Sequence, residues 1–432
     1  MSAADERPAA VHIDDYAAPQ FSPEVAEMIE LAKPLADLLP LDVDAICDQA
    51  MAELAASGRA YDDVGETPGA ESFRDRMGAL LEAYEAAPGF SHMGRITVHT
   101  LFTQLVRNRL LIADLLTRHP EIHDIEIVRP IIIAGLPRTG TTHLHNLLSA
   151  DPALRSLPYW ESCEPVPLPT DVVGADGIDP RWTRTAAACD FLDAALPYFK
   201  RMHEMTPDHV HEEIQLLAID FSSMLFETLA PVPSWRDRFL ATDQVPHYEY
   251  LKTVLKVLTF LRGGERWVLK SPQHLEQYRA IHEVFPDATV VVTHRDPVAV
   301  TASMVTMIAY TQRLQVDPVD PHLVGDLWSD RLQRMLGSAL ADRDVLPSAH
   351  SMDVRFDDFM ADDLATVASI YDLAGQPLDE RARTAHADYL ASHQRERHGG
   401  LVYDLADFGL DRDELAQGFA PYVDRFLGSP TT

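Results

Sequence analysis

Cysteine is scarce in this chain of 432 residues: three occur, Cys47, Cys163 and Cys189. None stands in a CxxC pair or a Cys/His ligand spacing, so neither a disulfide framework nor a zinc module is suggested. Positive charge is equally short, with 36 Lys and Arg against 67 Asp and Glu and a formal net charge of −31. Binding a polyphosphate needs a basic face that releases counterions, so nucleic acid and anionic membrane surfaces are poor candidates as partners. A few placed cations can still dominate one pocket, which leaves room for a small anionic ligand. No apolar run approaches the ~20 residues needed to cross a bilayer, so no stable membrane insertion is expected. The opening Met1-Ser2-Ala3-Ala4-Asp5-Glu6 lacks the apolar stretch of a secretory leader. A cytoplasmic protein with reduced thiols is the expectation.

The chain does have ample material for a core, with a hydrophobic fraction of 46%. Residues 1–20, rich in Ala, Asp and Pro, read as a mobile lead-in. Over 21–125 apolar residues recur at helical spacing, as in Val25, Met28, Ile29 and Ala32 and again in Leu101, Leu105, Leu110, Leu111 and Leu115. A helical N-terminal region packed on the core follows. From Pro130 the texture changes: Ile131-Ile132-Ile133-Ala134 is a short continuous apolar run that leads through a glycine-containing loop into a helix. Trp267-Val268-Leu269, Thr289-Val290-Val291-Val292-Thr293 and Met352-Asp353-Val354-Arg355-Phe356 are further strand candidates. Such runs separated by helices predict an α/β domain over 126–432, with a parallel sheet covered on both faces. Residues 181–260 read as a helical insertion.

The loop Gly135-Leu136-Pro137-Arg138-Thr139-Gly140-Thr141-Thr142 has the G-x4-G spacing of a phosphate cradle. A nucleoside-triphosphate loop would place Lys after the second glycine and a magnesium-binding hydroxyl next. Here Thr141 holds the lysine position, and the cation is Arg138, inside the loop. The pattern keeps an anion site without the usual triphosphate and magnesium chemistry.

These residues resemble the sulfotransferases that use 3′-phosphoadenosine 5′-phosphosulfate (PAPS), whose 5′-phosphosulfate loop is similar to Pro137-Arg138-Thr139-Gly140-Thr141-Thr142. A second signature is His294-Arg295-Asp296-Pro297 followed by Ser303, the Arg-x7-Ser spacing that holds the 3′-phosphate in that family. An arginine at a strand end offers a forked donor, and a serine two turns into the next helix can face the same pocket. The resemblance is nearest to the large bacterial, mycobacterial-type members and extends from about residue 95 to residue 425. It implies a sulfotransferase fold, in which a P-loop-like parallel sheet is flanked by helices. It also implies transfer of a sulfuryl group from PAPS to a hydroxyl of a small-molecule or lipid-like acceptor, with no metal required.

The resemblance assigns roles to further residues. Lys270, ending a strand before Ser271-Pro272, takes the place of the lysine that meets the leaving oxygen. The general base stays open between Glu161, in Tyr159-Trp160-Glu161, and His274, four residues after Lys270, with Glu212 of His211-Glu212-Glu213 behind them. His143 stands where cytosolic members carry a tryptophan against adenine, and Phe356 is an adenine contact by its place after the last strand. Arg397, with Arg395, belongs to a basic glycine-containing loop expected to close over the 3′-phosphate. A kinase-like phosphotransferase on the same strand–loop–helix and a non-catalytic nucleotide-binding relative are the alternatives. Acceptor identity and oligomeric state are not encoded in any local pattern.

Overall fold

The computed structural model describes residues 8–55, 58–393 and 399–428. The N-terminal region folds as four helices, α1 (Pro23–Ala36), α2 (Val43–Ala55), α3 (Phe73–Glu85) and α4 (His92–Arg118). Each starts where the sequence supplies a cap or an acidic first turn: Ser22, Ser72 and Ser91 accept backbone N–H groups of α1, α3 and α4, and Pro23 presets the first turn of α1. Strand β1 (Ile131–Ala134) follows, then α5 (Thr141–Ser149). Helices α6 (Tyr159–Cys163), α7 (Pro180–Ala195), α8 (Ile214–Ala218), α9 (Leu225–Leu229), α10 (Pro233–Ala241) and α11 (Val245–Arg262) precede β2 (Val268–Ser271). The chain continues through α12 (Tyr278–Val284), β3 (Thr289–His294), α13 (Pro297–Gln312), α14 (Pro321–Asp342), β4 (Ser351–Arg355), α15 (Phe356–Ala361) and α16 (Asp363–Ala374).

The four strands form one parallel sheet in the order β2-β1-β3-β4. Successive side chains of a strand point to opposite faces, and both faces are filled here. Ile132, Ala134, Leu269, Val290 and Val292 join the large core that also holds Ile46, Phe73 and Phe102 from the N-terminal helices. Ile131, Ile133, Val268, Val291 and Val354 join a second core with Leu144, Leu147, Phe359 and Val367. Burial on both sides explains why these strands read as unbroken apolar runs. It also brings the ends of β1, β2 and β3 to one edge, since Ala134 is level with Ser271 and Val292.

One expectation needs correction. Residues 8–20 are not a mobile lead-in: Val11 donates to the Gly400 carbonyl at 3.2 Å and accepts from Val402 at 2.9 Å, while Ile13 and Tyr16 are buried. Two apolar side chains among the acidic ones suffice to dock the segment, and Asp15 adds an ion pair with Arg313.

Candidate active site

The loop between β1 and α5 is shaped by two glycines and one strained arginine. A Cβ on Gly135 would lie 1.9 Å from Thr293 Oγ1, so only glycine fits beside β3. Gly140 has φ +87°, and Arg138, two residues earlier in the loop, has φ 70° without being glycine. Such a backbone costs about 1–2 kcal/mol for an L-residue and concentrates at functional sites. The Arg138 side chain donates to the Met202 carbonyl at 2.7 Å. Thr139 is buried and hydrogen-bonded to Leu136 O and Thr293 Oγ1, so it braces the loop against β3. Thr141 and Thr142 open α5, whose first N–H groups carry the helix's positive end.

At the end of β3, Asp296 caps α13 by accepting the Val298 N–H at 3.0 Å, with Pro297 in the first turn. That local pairing leaves Arg295 for the loop: its Nη1 donates to the Arg138 carbonyl at 2.6 Å. Its guanidinium lies 4.1 Å above the Phe356 ring. Burial and then the neighbouring Arg138 press the Arg295 pKa down, with Asp357 and Asp296 opposing. Ser303, two turns into α13, is buried, and its Oγ has no hydrogen-bond partner among the described residues. Phe356 packs over Gly140 as well as under Arg295. His143 turns toward α15 and α16, sharing a hydrogen bond with Asp363 at 3.1 Å and facing the Phe359 ring. Arg395 and Arg397 lie outside the described residues.

Lys270 lies level with Ile133, one position before the end of β1, with its side chain 2% exposed. Its ammonium is ion-paired with Glu212, and its backbone N–H donates to Glu213 Oε2 at 2.8 Å. His274 is buried with both ring nitrogens engaged, Nδ1 by the Tyr248 hydroxyl at 2.7 Å and Nε2 by Glu213. Burial alone would raise the Glu213 carboxyl, but His274 and the Lys270 N–H outweigh it and hold the group below the usual range. Glu161 is fully buried between Arg155, at 2.6 Å, and Arg262, at 3.1 Å. Of the three carboxylate and imidazole candidates for a base, only Glu212 stands at Lys270; Glu161 and His274 are bound up in contacts of their own.

Residues 130–380, more than half of the chain, match the family model described as "Sulfotransferase family". The chain belongs to the sulfotransferase family. Among solved structures it is similar to sulfotransferase STF1 from Mycobacterium tuberculosis H37Rv, at 31% identity and a TM-score of 0.73, over 86% of this chain and 98% of that one. It is also similar to sulfotransferase STF9 from Mycobacterium avium, at 26% identity and a TM-score of 0.77, over 90% of this chain and 97% of that one. No curated protein sequence matches it. The parallel sheet with flanking helices is the fold of these sulfotransferases, and no helix among the described residues is long and apolar enough to cross a membrane.

Beside the sulfotransferase signatures lies a set of histidines of which sequence reasoning touched only His211, as the neighbour of Glu212. His145, His203, His209 and His211 each carry a buried ring nitrogen without a hydrogen-bond partner among the described residues. His203 and His209 meet edge to face at 5.0 Å, and His209 and His211 at 5.8 Å. Burial and then Lys270 push His145 down to about 3; burial, Lys270 and Arg138 do the same to His203. Burial, His203 and Lys270 bring His209 to about 2, and His211 is driven well below its ordinary value. The row is therefore neutral at pH 7. No group of three or more potential metal ligands occurs among the described residues. One signal was available: His209 and His211 alternate around Val210, and Val210 pairs with Pro158 in an extended bridge, an arrangement that puts alternate residues on one face.

Proposed function

We propose that this sulfotransferase moves a sulfuryl group from PAPS to a hydroxyl of a small-molecule or lipid-like acceptor and releases 3′,5′-ADP. The observation that carries the donor assignment is the unpartnered Ser303 Oγ two turns below Arg295. A buried hydroxyl without a partner costs about 1–3 kcal/mol, and a 3′-phosphate at Arg295 would satisfy it. Arg138, Thr139, Gly140, Thr141 and Thr142 would hold the 5′-phosphosulfate, with Arg138 and the first N–H groups of α5 meeting the charge that builds on the leaving phosphate. Lys270 would serve the bridging oxygen; Glu212 is then the counter-ion that occupies Lys270 until the donor arrives. Phe356, lying against both Arg295 and Gly140, is suited to the adenine side, with His143 beyond it. The donor carries its own reactive sulfuryl group, and this scheme requires no metal.

The test is thermal stabilisation by 3′,5′-ADP against Mg·ATP and 5′-AMP. A ligand at 100 times its Kd stabilises by about 2.7 kcal/mol. Stabilisation by 3′,5′-ADP is expected, with Arg295→Ala weakening it far more than it weakens 5′-AMP. Stabilisation by Mg·ATP alone would favour a phosphotransferase, and equal losses for the two adenosine nucleotides would remove the 3′-phosphate from Arg295.

A further inference from the structure

The donor reading leaves one chemical task without a residue, removal of the proton from the entering hydroxyl. An in-line displacement puts the entering and leaving oxygens on opposite sides of sulfur, as in phosphoryl transfer. Lys270 belongs to the leaving side in that reading, and Glu212 is tied to Lys270. Glu161 is ion-paired with Arg155 and Arg262, although its Oε1 accepts no hydrogen bond among the described residues, and His274 has both nitrogens occupied.

His203 is differently placed. The carbonyl of the preceding residue, Met202, is docked on the Arg138 guanidinium, which ties the backbone next to His203 to the phosphate loop. Burial and then Lys270 and Arg138, the two cations that would grip the donor, lower the pKa of its ring. The ring stacks on Phe199, with centroids 6.0 Å apart and planes 15° apart, and its Nδ1 is buried without a partner.

We propose that His203 is the catalytic base, taking the acceptor's proton on Nδ1. The proposal rests on the PAPS reading above. In the step, a lone pair of the acceptor oxygen forms the O–S bond. The S–O bond to the 5′-phosphate breaks, and its electron pair leaves on 3′,5′-ADP. The hydroxyl proton goes to His203 Nδ1, and the ring returns it to solvent once the products have left. The groups that act on the ring are Lys270 from β2, Arg138 from the loop, and Glu204 and His209 from its own segment. Without donor, burial first and then the two cations keep the ring neutral and weakly basic. The anionic donor offsets the cations' share of that shift, so the ring becomes a better proton acceptor as the donor binds.

The test compares transfer from PAPS to phenol and to para-nitrophenol above the latter's pKa, two acceptors of similar shape of which only the first must lose a proton. A general base contributes typically ~10²–10⁴-fold. His203→Gln is expected to lower the ratio of phenol to para-nitrophenolate transfer at least about tenfold while still binding 3′,5′-ADP, and His203→Asn serves if the first variant does not fold. Where neither phenol is a substrate, water is the acceptor, and His203→Gln is expected to slow 3′,5′-ADP release from PAPS. An unchanged ratio, or unchanged hydrolysis, overturns the proposal. So does a ratio that falls in Glu212→Gln and not in His203→Gln. Failure of the wild-type protein to bind or turn over PAPS would instead overturn the donor assignment.

Discussion

Arg138 combines two properties that usually compete, since its backbone sits at φ 70° while its side chain reaches across to the Met202 carbonyl. Glycine would relieve a strain of about 1–2 kcal/mol and forfeit a hydrogen bond of about 1 kcal/mol. Arg138→Gly should therefore melt at or slightly above the wild-type temperature while its affinity for 3′,5′-ADP drops. A clear loss of melting temperature would show that the loop is not strained there. The strand–loop–helix around this loop was legible in the sequence because its signals are local: the glycines, the arginine and the helix start lie within eight positions. The same holds for Arg295 and Ser303, which one strand end and one helix bring together. The ion pairs of Glu161 were not legible, because they come from Arg155 on one side and Arg262, a hundred positions away, on the other. His203 escaped for the same reason, as its neighbourhood is made by Arg138 and Lys270 rather than by its own segment.

At the scale of elements, α14 is fastened by a buried arginine. Arg331 binds Glu227 of α9 at 2.9 Å and Glu276, after β2, at 2.5 Å. Burial raises the Glu227 carboxyl to about 7, with Arg331 opposing and Glu276 adding to the rise. A folded-state pKa above the ordinary 4.5 of a glutamate means that the folded protein holds this proton more tightly than the unfolded chain. The associated stability is present below about 4.5 and is lost as pH climbs through about 7. Denaturant unfolding across that window should show this decline in the wild type, and Glu227→Gln should flatten it; an unchanged slope would assign the decline to other groups. The strands themselves were legible, since two-sided burial leaves an apolar run that no surface strand would carry. Their order was not, because β1 pairs with β2 and β3 on either side and nothing in a strand's own residues states its neighbour.

Across the whole molecule, the N-terminal helices and the segment before β2 are joined through one carboxylate. Asp220 receives Arg76 of α3 at 2.6 Å, Arg109 of α4 at 2.5 Å, Thr67 at 2.6 Å and His247 of α11 at 2.5 Å, all in a buried setting. Burial would raise this carboxyl, but His247 and the two arginines hold it below the usual range. Removing one member of such a network strands the others, which costs about 3–5 kcal/mol. Asp220→Ala should lose that much in chemical unfolding, and a loss under about 1 kcal/mol, the scale of an exposed pair, would make the network incidental.

The docked segment near the amino terminus has a practical side. Arg201 Nη1 holds the carbonyls of both Ala9 and Gly400, at 2.8 and 3.1 Å, and it stands two residues before His203. An affinity tag or fusion partner attached ahead of residue 8 would pull directly on that clasp and, through it, on the imidazole proposed to take the proton. Preparations labelled at the other end would leave the clasp alone, so a difference in turnover between the two would be a handling effect with a structural address.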